Sequence, residues 1–261
     1  IEIPTNDTWI RDYGYISIKE NDEVKLLDFI FDGWGGKFGA SLDNAVNSAL
    51  HKKGYLGITP LEQIDFVLEG GSIESDGEGT ILTTSTCLCN PNRNRGLSKE
   101  EVEEKLHTYL GAERILWLDH GYLSGDDTDS HIDTLARFVN SSTIMYVKCE
   151  DEDEEHYEAL KQMETQLQGF TTTEGKQYSL IPLPMCEAKY DDSGKRRPAT
   201  YANFLITNDA LIYPTYDDQN DTSAGEIFKA VFPDKEIIPV NCLKLIEQGG
   251  SLHCSTMQIV Y

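Results

Sequence analysis

HIDTLARFVNSSTIMYV, residues 131–147, is the stretch from which the fold can be read. Two runs rich in β-formers flank the turn material Asn140-Ser141-Ser142, as the two strands of a hairpin would. Three other stretches share that build: YGYISIKENDEVKLLDF (13–29), GSIESDGEGTILTTS (71–85) and TYANFLITNDALIYPTY (200–216). Each is followed by a helical pattern, in SLDNAVNSALHKK (41–53), KEEVEEKLHTYLG (99–111), EHYEALKQMETQL (155–167) and SAGEIFKAVF (223–232). A short apolar strand then closes each unit: IDFVL (64–68), RILWLD (114–119), YSLIPL (178–183) and EIIPVN (236–241).

The order β-β-α-β thus recurs four times. SLHCSTMQIVY (251–261) reads as strand material for a fifth unit, and IEIP (1–4) as the closing strand of that unit. The expected fold class is α/β, with repeated units set round a pseudo-symmetry axis. Helices would lie outside, and the unit ends would converge where a site could be built. An ordinary α/β sandwich whose periods coincide is the other arrangement the pattern admits. The chain opens on Ile1 with a strand already under way. Residues 1–261 are therefore expected to be a single domain truncated at its N-terminus, so the lack of a targeting peptide decides little.

With 39% hydrophobic and 26% charged residues, the composition is that of a soluble globular protein. Twenty-two basic residues against 45 acidic ones give a formal charge of −23, which argues against nucleic acid and anionic membranes as partners. No apolar run approaches the roughly 20 residues of a membrane span. The six cysteines show neither the close spacing of a disulfide framework nor that of a zinc finger. They are expected to be reduced, mostly buried thiols of a cytoplasmic protein. No cofactor and no metal are expected, and a homo-oligomer is left open.

Candidate chemistry gathers where each closing strand meets the next hairpin. TNDTWIRD offers Trp9 and Asp12, VLEGGSI offers Glu69, DSHID offers His131 and Asp133, and EQGGSLHC offers Cys254. The intervals from Asp12 to Glu69, Glu69 to His131 and His131 to Cys254 are 57, 62 and 123 residues, about one, one and two periods. A ring would bring these groups together. Within GDDTDSHIDTLARF (125–138), an extended chain would put Asp127, Asp129, His131 and Asp133 on one face. Burying so many carboxylates requires a cation among them. A guanidinium offers five N–H donors in a fixed fork that carboxylates accept bidentately. Asp12 and Asp133 could grip it while Cys254 attacks its central carbon and His131 shuttles protons. The missing cation is then a small guanidine substrate.

TWIRD, LEGGSIESDG, GDDTDSHIDTLARF and GGSLHC resemble the motifs of the agmatine deiminase family, also called porphyromonas-type peptidylarginine deiminases. The likeness runs in order through almost the whole chain. It implies a five-bladed α/β propeller of the guanidine-modifying superfamily and metal-free hydrolysis of agmatine to N-carbamoylputrescine and ammonia, a step toward putrescine. By the same resemblance Cys254 is the nucleophile and His131 the general acid/base. Asp12 and Asp133 are the guanidinium clamps, Glu69 orients His131 and keeps it protonated when needed, and Trp9 walls the substrate's aliphatic stem. The family's members carry a further segment before TWxRD, roughly the rest of the fifth unit.

Other residues receive plainer expectations. Asp127 and Asp129 are read as turn and cap hydrogen-bonders, and Arg11 and Arg137 as structural ion-pair partners. In an extended segment His253 would face away from Cys254. Gly250 and its neighbours permit tight turns and could admit the substrate closely. Trp34 is a loop wall or core. A metal site in DDTDSHID lacks the EF-hand glycine and spacing. Competing functions are a peptidylarginine or free-arginine deiminase, for which GKRRP (194–198) could supply a carboxylate contact, and an amidinotransferase. A non-catalytic binding module on the same fold, as in a ribosome-associated factor of the superfamily, is the contrasting class.

Overall fold

The computed structural model describes residues 1–259. Its architecture is a fourfold repetition of one module. In the first, β1 (Ile16–Glu20) and β2 (Glu23–Ile30) pair antiparallel, and β3 (Leu61–Val67) joins β2 in parallel after the helix Val46–Lys52. The hairpin closes through Asn21 and Asp22 with φ of 50° and 66°, the left-handed pair that a two-residue turn between right-twisted strands requires. The second module is β4 (Ile73–Ser75), β5 (Thr80–Thr84), helix Lys99–Leu110 and β6 (Arg114–Leu118). The third is β7 (Ala136–Asn140), β8 (Thr143–Lys148), helix Tyr157–Gly169 and β9 (Ser179–Pro184). A two-stranded ribbon, β10 (Lys189–Tyr190) with β11 (Arg196–Arg197), precedes the fourth: β12 (Leu205–Ile206), β13 (Ala210–Thr215), helix Asp221–Val231 and β14 (Glu236–Asn241).

In every module the hairpin is antiparallel and the third strand parallel to the second. A parallel pair needs a long crossover, and the intervening helix supplies it. The helices sit where the apolar spacing placed them. In Lys99–Leu110 the buried Val102 and Leu106 lie one turn apart, Ser98 and Glu101 form a reciprocal capping box, and Gly111 ends the helix at φ 66°.

The buried apolar residues form one large cluster spanning the third and fourth modules and a smaller one across the first two. A third, of Trp9, Tyr13, Phe31, Trp34, Val46 and Cys254, underlies the chemistry. A cavity of about 750 Å³ is lined by the first strand of each module (β1, β4, β7 and Ile206 of β12) and by Met257 and Gln258. The four modules and the end of the chain therefore surround one space. The fold is mixed α/β, and its repeat is that of the sequence.

Three expectations fail. Residues 1–4 form no strand, and 251–259 give a single 3-10 turn, His253–Ser255, and no ladder; residues 260–261 lie outside those described. A strand needs a ladder, and among the described residues neither segment is part of one; in the second, His253 N and Cys254 N go to Asn203 instead. Residues 125–134 are likewise not extended. The Asp126 carboxylate accepts from Thr128 N, Thr128 Oγ1 and Ser130 N at 3.2, 2.6 and 3.0 Å, and this folds the chain back with φ near 65° at Asp129 and Ser130. Ile132–Thr134 then form a 3-10 turn, so the four polar residues share no strand face.

Candidate active site

Asp12, Glu69, His131, Asp133 and Cys254 are all buried, and each sits on a short turn at a module junction rather than in a strand. Gly71 is the pivot. A Cβ there would lie 2.7 Å from Asp12 Oδ1, 2.7 Å from His131 Nδ1 and 3.1 Å from Asp133 Oδ2, so only glycine leaves those three groups round an open point. Its N–H donates to Asp12 Oδ1 at 3.0 Å, Trp34 Nε1 donates to Asp12 Oδ2 at 3.0 Å, and His131 Nδ1 stands 3.5 Å from Asp12 Oδ1. Trp34 thus lies in the core and also holds the clamp, with its own backbone at φ 58°.

Cys254 Sγ lies 3.8 Å from Asp133 Oδ2 and 3.4 Å from Asn203 Oδ1. That amide oxygen also accepts from His253 N and Cys254 N, while Asn203 Nδ2 donates to the Asp133 carbonyl. Asn203 therefore fixes the Cys254 backbone against Asp133. It occupies the fourth module's junction, the one position the spacing left unfilled between His131 and Cys254, and that vacancy was the signal for it.

His253 points to Asp133, with Nδ1 at 2.8 Å from Oδ2, and Arg137 donates to its Nε2 at 3.2 Å. An N–H aimed at Nε2 makes that nitrogen the acceptor, so Nδ1 carries the proton and donates it to Asp133. His253 lies in a turn rather than the extended segment expected, yet it is the neighbour of Asp133, not of the sulfur. Arg137 pairs with Glu74 at 2.6 Å, as expected. Arg11 does not form an ion pair among the described residues; its guanidinium donates to Thr256, Gln258, Met257 and the His253 carbonyl.

The carboxylates divide into two sets. Glu69 and Asp129 have resident cations: buried Arg93 bonds Glu69 Oε1 at 2.7 Å and Asp129 Oδ2 at 2.6 Å, and Lys37 reaches Asp129 Oδ1 at 2.6 Å. Asp129 is thus an ion-pair partner rather than a turn-former, and that role falls to Asp126. Asp12 and Asp133 have no Lys or Arg within ion-pair distance among the described residues, and Asp133 Oδ1 lacks a hydrogen-bond partner. Desolvation, with the other acids nearby, raises Asp12 well above the usual carboxylate range, and desolvation pushes Asp133 up to about 7. Burial, Asp133 and Asp12 push the Cys254 thiol far up, while burial and Arg93 hold His131 neutral. Glu69, the carboxylate expected near His131, stands beside it and is paired through Oε1 with Arg93.

Trp9 is buried in the cluster that contains Cys254, and a Cβ at Gly250 would stand 2.7 Å from its ring. Glycine at 250 leaves room for the indole. Cys89 is exposed, against the general burial of the other thiols. Cys87 is buried beside Glu69 and His131, with one ligand-type atom of each within 4.8 Å of the others.

Residues 1–259 match the porphyromonas-type peptidyl-arginine deiminase family. The chain belongs to that family. It is 35% identical over 279 residues to a Marinomonas protein named "Putative agmatine deiminase", covering 99% of this chain and 75% of the other. A solved structure described as a "putative peptidyl-arginine deiminase" superposes with TM-score 0.97 at 51% identity, covering 99% of this deiminase and 77% of the other chain. A Cys-to-Ser variant of C. jejuni agmatine deiminase with substrate bound gives TM-score 0.91 at 45% identity, covering 98% and 74%. A dimethylarginine dimethylaminohydrolase shares the fold at TM-score 0.50 and 10% identity. This deiminase is accordingly a hydrolase of guanidino C–N bonds. Among the described residues no helix is long and apolar enough to cross a membrane.

Proposed function

We propose that this deiminase hydrolyses agmatine to N-carbamoylputrescine and ammonia through a covalent intermediate on Cys254. The observation that carries the reading is the pair of buried carboxylates without a resident cation, Asp12 and Asp133, facing one point beside a thiol. A guanidinium between the two carboxylates supplies the missing charge. It favours ionised Asp12 and Asp133 and lowers the cost of a thiolate, so substrate binding itself prepares the nucleophile. The thiol proton passes to neutral His131 and the thiolate attacks the guanidinium carbon. The imidazolium then returns the proton to the departing nitrogen, which leaves as ammonia from a thiouronium. His131 next takes a proton from water as it attacks; the C–S bond breaks as the adduct's hydroxyl proton is lost to solvent to leave the neutral ureido product, and His131 returns its proton to sulfur. Glu69, held by Arg93, orients His131, and Trp9 flanks the stem.

The same reading takes residues 1–261 as a single deiminase domain, built as a five-bladed propeller whose fifth blade includes the end of the chain. The cavity bounded by four first strands and by 257–258 supports it. Six unpaired thiols suit a reducing, cytoplasmic setting.

A peptidylarginine substrate is the second reading. The 194–198 loop packs on Gly125, and Lys195 lies close enough to Asp127 to oppose the rise that burial gives its pKa, so a cation stands near the acidic loop where a substrate carboxylate could be received. Ammonia release from agmatine, free arginine and a peptide ending in arginine, with Cys254→Ser as control, separates the two. Turnover of agmatine alone, lost by several orders of magnitude in the variant, is expected. Preference for the peptide selects the second reading, and silence on all three overturns both.

A further inference from the structure

Three buried groups stand together: Glu69, Cys87 and His131. Two of their atoms, Glu69 Oε2 and His131 Nε2, have no hydrogen-bond partner although both are shut off from solvent. Orphaned buried acceptors are rare, and each calls for an occupant. The thiol of Cys87, whose backbone N–H is tied to Thr84 at the start of the turn Ser85–Leu88, completes the trio. Carboxylate, thiolate and imidazole are a donor set for a borderline-soft divalent ion of the zinc class. About such an ion, bond lengths of roughly 2.0–2.3 Å put tetrahedral ligand atoms about 3.4–3.6 Å apart. The trio's atoms, within 4.8 Å of one another, need close by only about an ångström.

We propose that Glu69, Cys87 and His131 form an inhibitory site for a zinc-class divalent cation, which the deiminase takes up in place of substrate. On binding, the Cys87 thiol loses its proton to solvent as the metal–sulfur bond forms. Carboxylate and thiolate together cancel the charge of the ion, while Arg93 retains Asp129 as its counter-ion. His131 is then a ligand and can no longer move protons, so turnover stops while the fold is retained. Cys87 has no part in the proposed reaction, which makes it the residue to change.

The inhibition rests on the deiminase reading above, and the binding does not. Cobalt(II) is the probe for binding, because a coordinated thiolate gives it a near-ultraviolet charge-transfer band. On the full chain that band is expected in the parent and in Cys254→Ser, and is expected to vanish in Cys87→Ala and Cys87→Val. Zinc is expected to raise the melting temperature of the parent and not of the Cys87 variants. In the ammonia assay, zinc inhibition reversed by a chelator is expected to weaken by at least about 10-fold in the Cys87 variants. A band that survives in both Cys87 variants, or that disappears in Cys254→Ser, puts the metal on the nucleophile and overturns the proposal. Intact binding with no turnover on any guanidine tells against the deiminase reading instead.

Discussion

Asp133 carries more of the site than any other carboxylate. It accepts from His253, faces the Cys254 sulfur, and has one oxygen with no partner. Burial pushes it up to about 7, against the pull of Arg137 and Arg11. Between 3.8 and about 7 the folded protein therefore keeps a proton that the unfolded chain releases, and this residue's contribution to stability falls as pH rises through that window. The buried His131 and His253, both lowered, act oppositely: they cost stability as pH falls below 6.5, where the unfolded chain takes up protons. Both histidines remain in Asp133→Asn, whose amide oxygen can still accept from His253. The variant is thus expected to gain stability relative to the parent as pH rises from 3.8 to about 7, and to hold that gain above it. Denaturant melts of the two proteins across that range check it. A constant difference means that Asp133 is already ionised in the empty site.

At the scale of elements, propensity, caps and turns agree with the fold most clearly in the second module's helix. Ser98 Oγ accepts from Glu101 N at 3.3 Å, and Ser98 N donates to Glu101 Oε2 at 2.7 Å. Ser98→Ala removes one half of that exchange on an exposed helix start and is expected to cost about 1 kcal/mol with kcat/KM unchanged. A loss of activity there would mean that this helix end communicates with the site. Such elements were legible because their signals are local: period-2 runs, a capping box, and EIIPVN, which is a strand from its first residue to its last. The site was legible through its repeat spacing, which pointed to Trp9, Asp12, Glu69, His131, Asp133 and Cys254. Asn203 left a trace only as the unfilled fourth junction, and Arg93 left none, because a buried ion pair joins residues 24 apart with no period. The 125–134 loop misled for a related reason. Alternating polar residues imitate a strand, but a side-chain carboxylate that offers the backbone a turn prevails over an absent ladder partner.

For the molecule as a whole, the question is what makes the modules fold as one. Apolar packing supplies part of the answer, since the larger cluster runs through the third and fourth modules and takes in Leu82, Leu116 and Leu118 of the second, and polar residues at the junctions add to it. Arg137, from the third module, is the chief of these. It bonds Glu74 of the second through Nε at 2.6 Å, the carbonyls of Ala202 and Phe204 just before the fourth through Nη1 at 3.2 and 2.7 Å, and His253 beside Cys254. Its guanidinium also lies 4.8 Å from the Phe204 ring. Removing one partner of a buried ion pair leaves the other charge stranded, at a cost of about 3–5 kcal/mol, whereas replacing both with apolar residues of similar volume is often close to neutral. Arg137→Met is therefore expected to destabilise the whole chain by that amount. Adding Glu74→Leu should recover the part owed to the stranded carboxylate. The carbonyls of Ala202 and Phe204 stay unpaired in both variants, so recovery should remain partial, by about 1–3 kcal/mol for each group left unsatisfied. Chemical denaturation of the parent, the two single variants and the double variant measures the coupling directly. If Arg137→Met instead splits unfolding into two transitions, with the first two modules separating from the rest, Arg137 is the joint between two cooperative halves. If its cost is the same with or without Glu74, the junction owes its strength to the carbonyls and the ring, and the ion pair contributes only specificity.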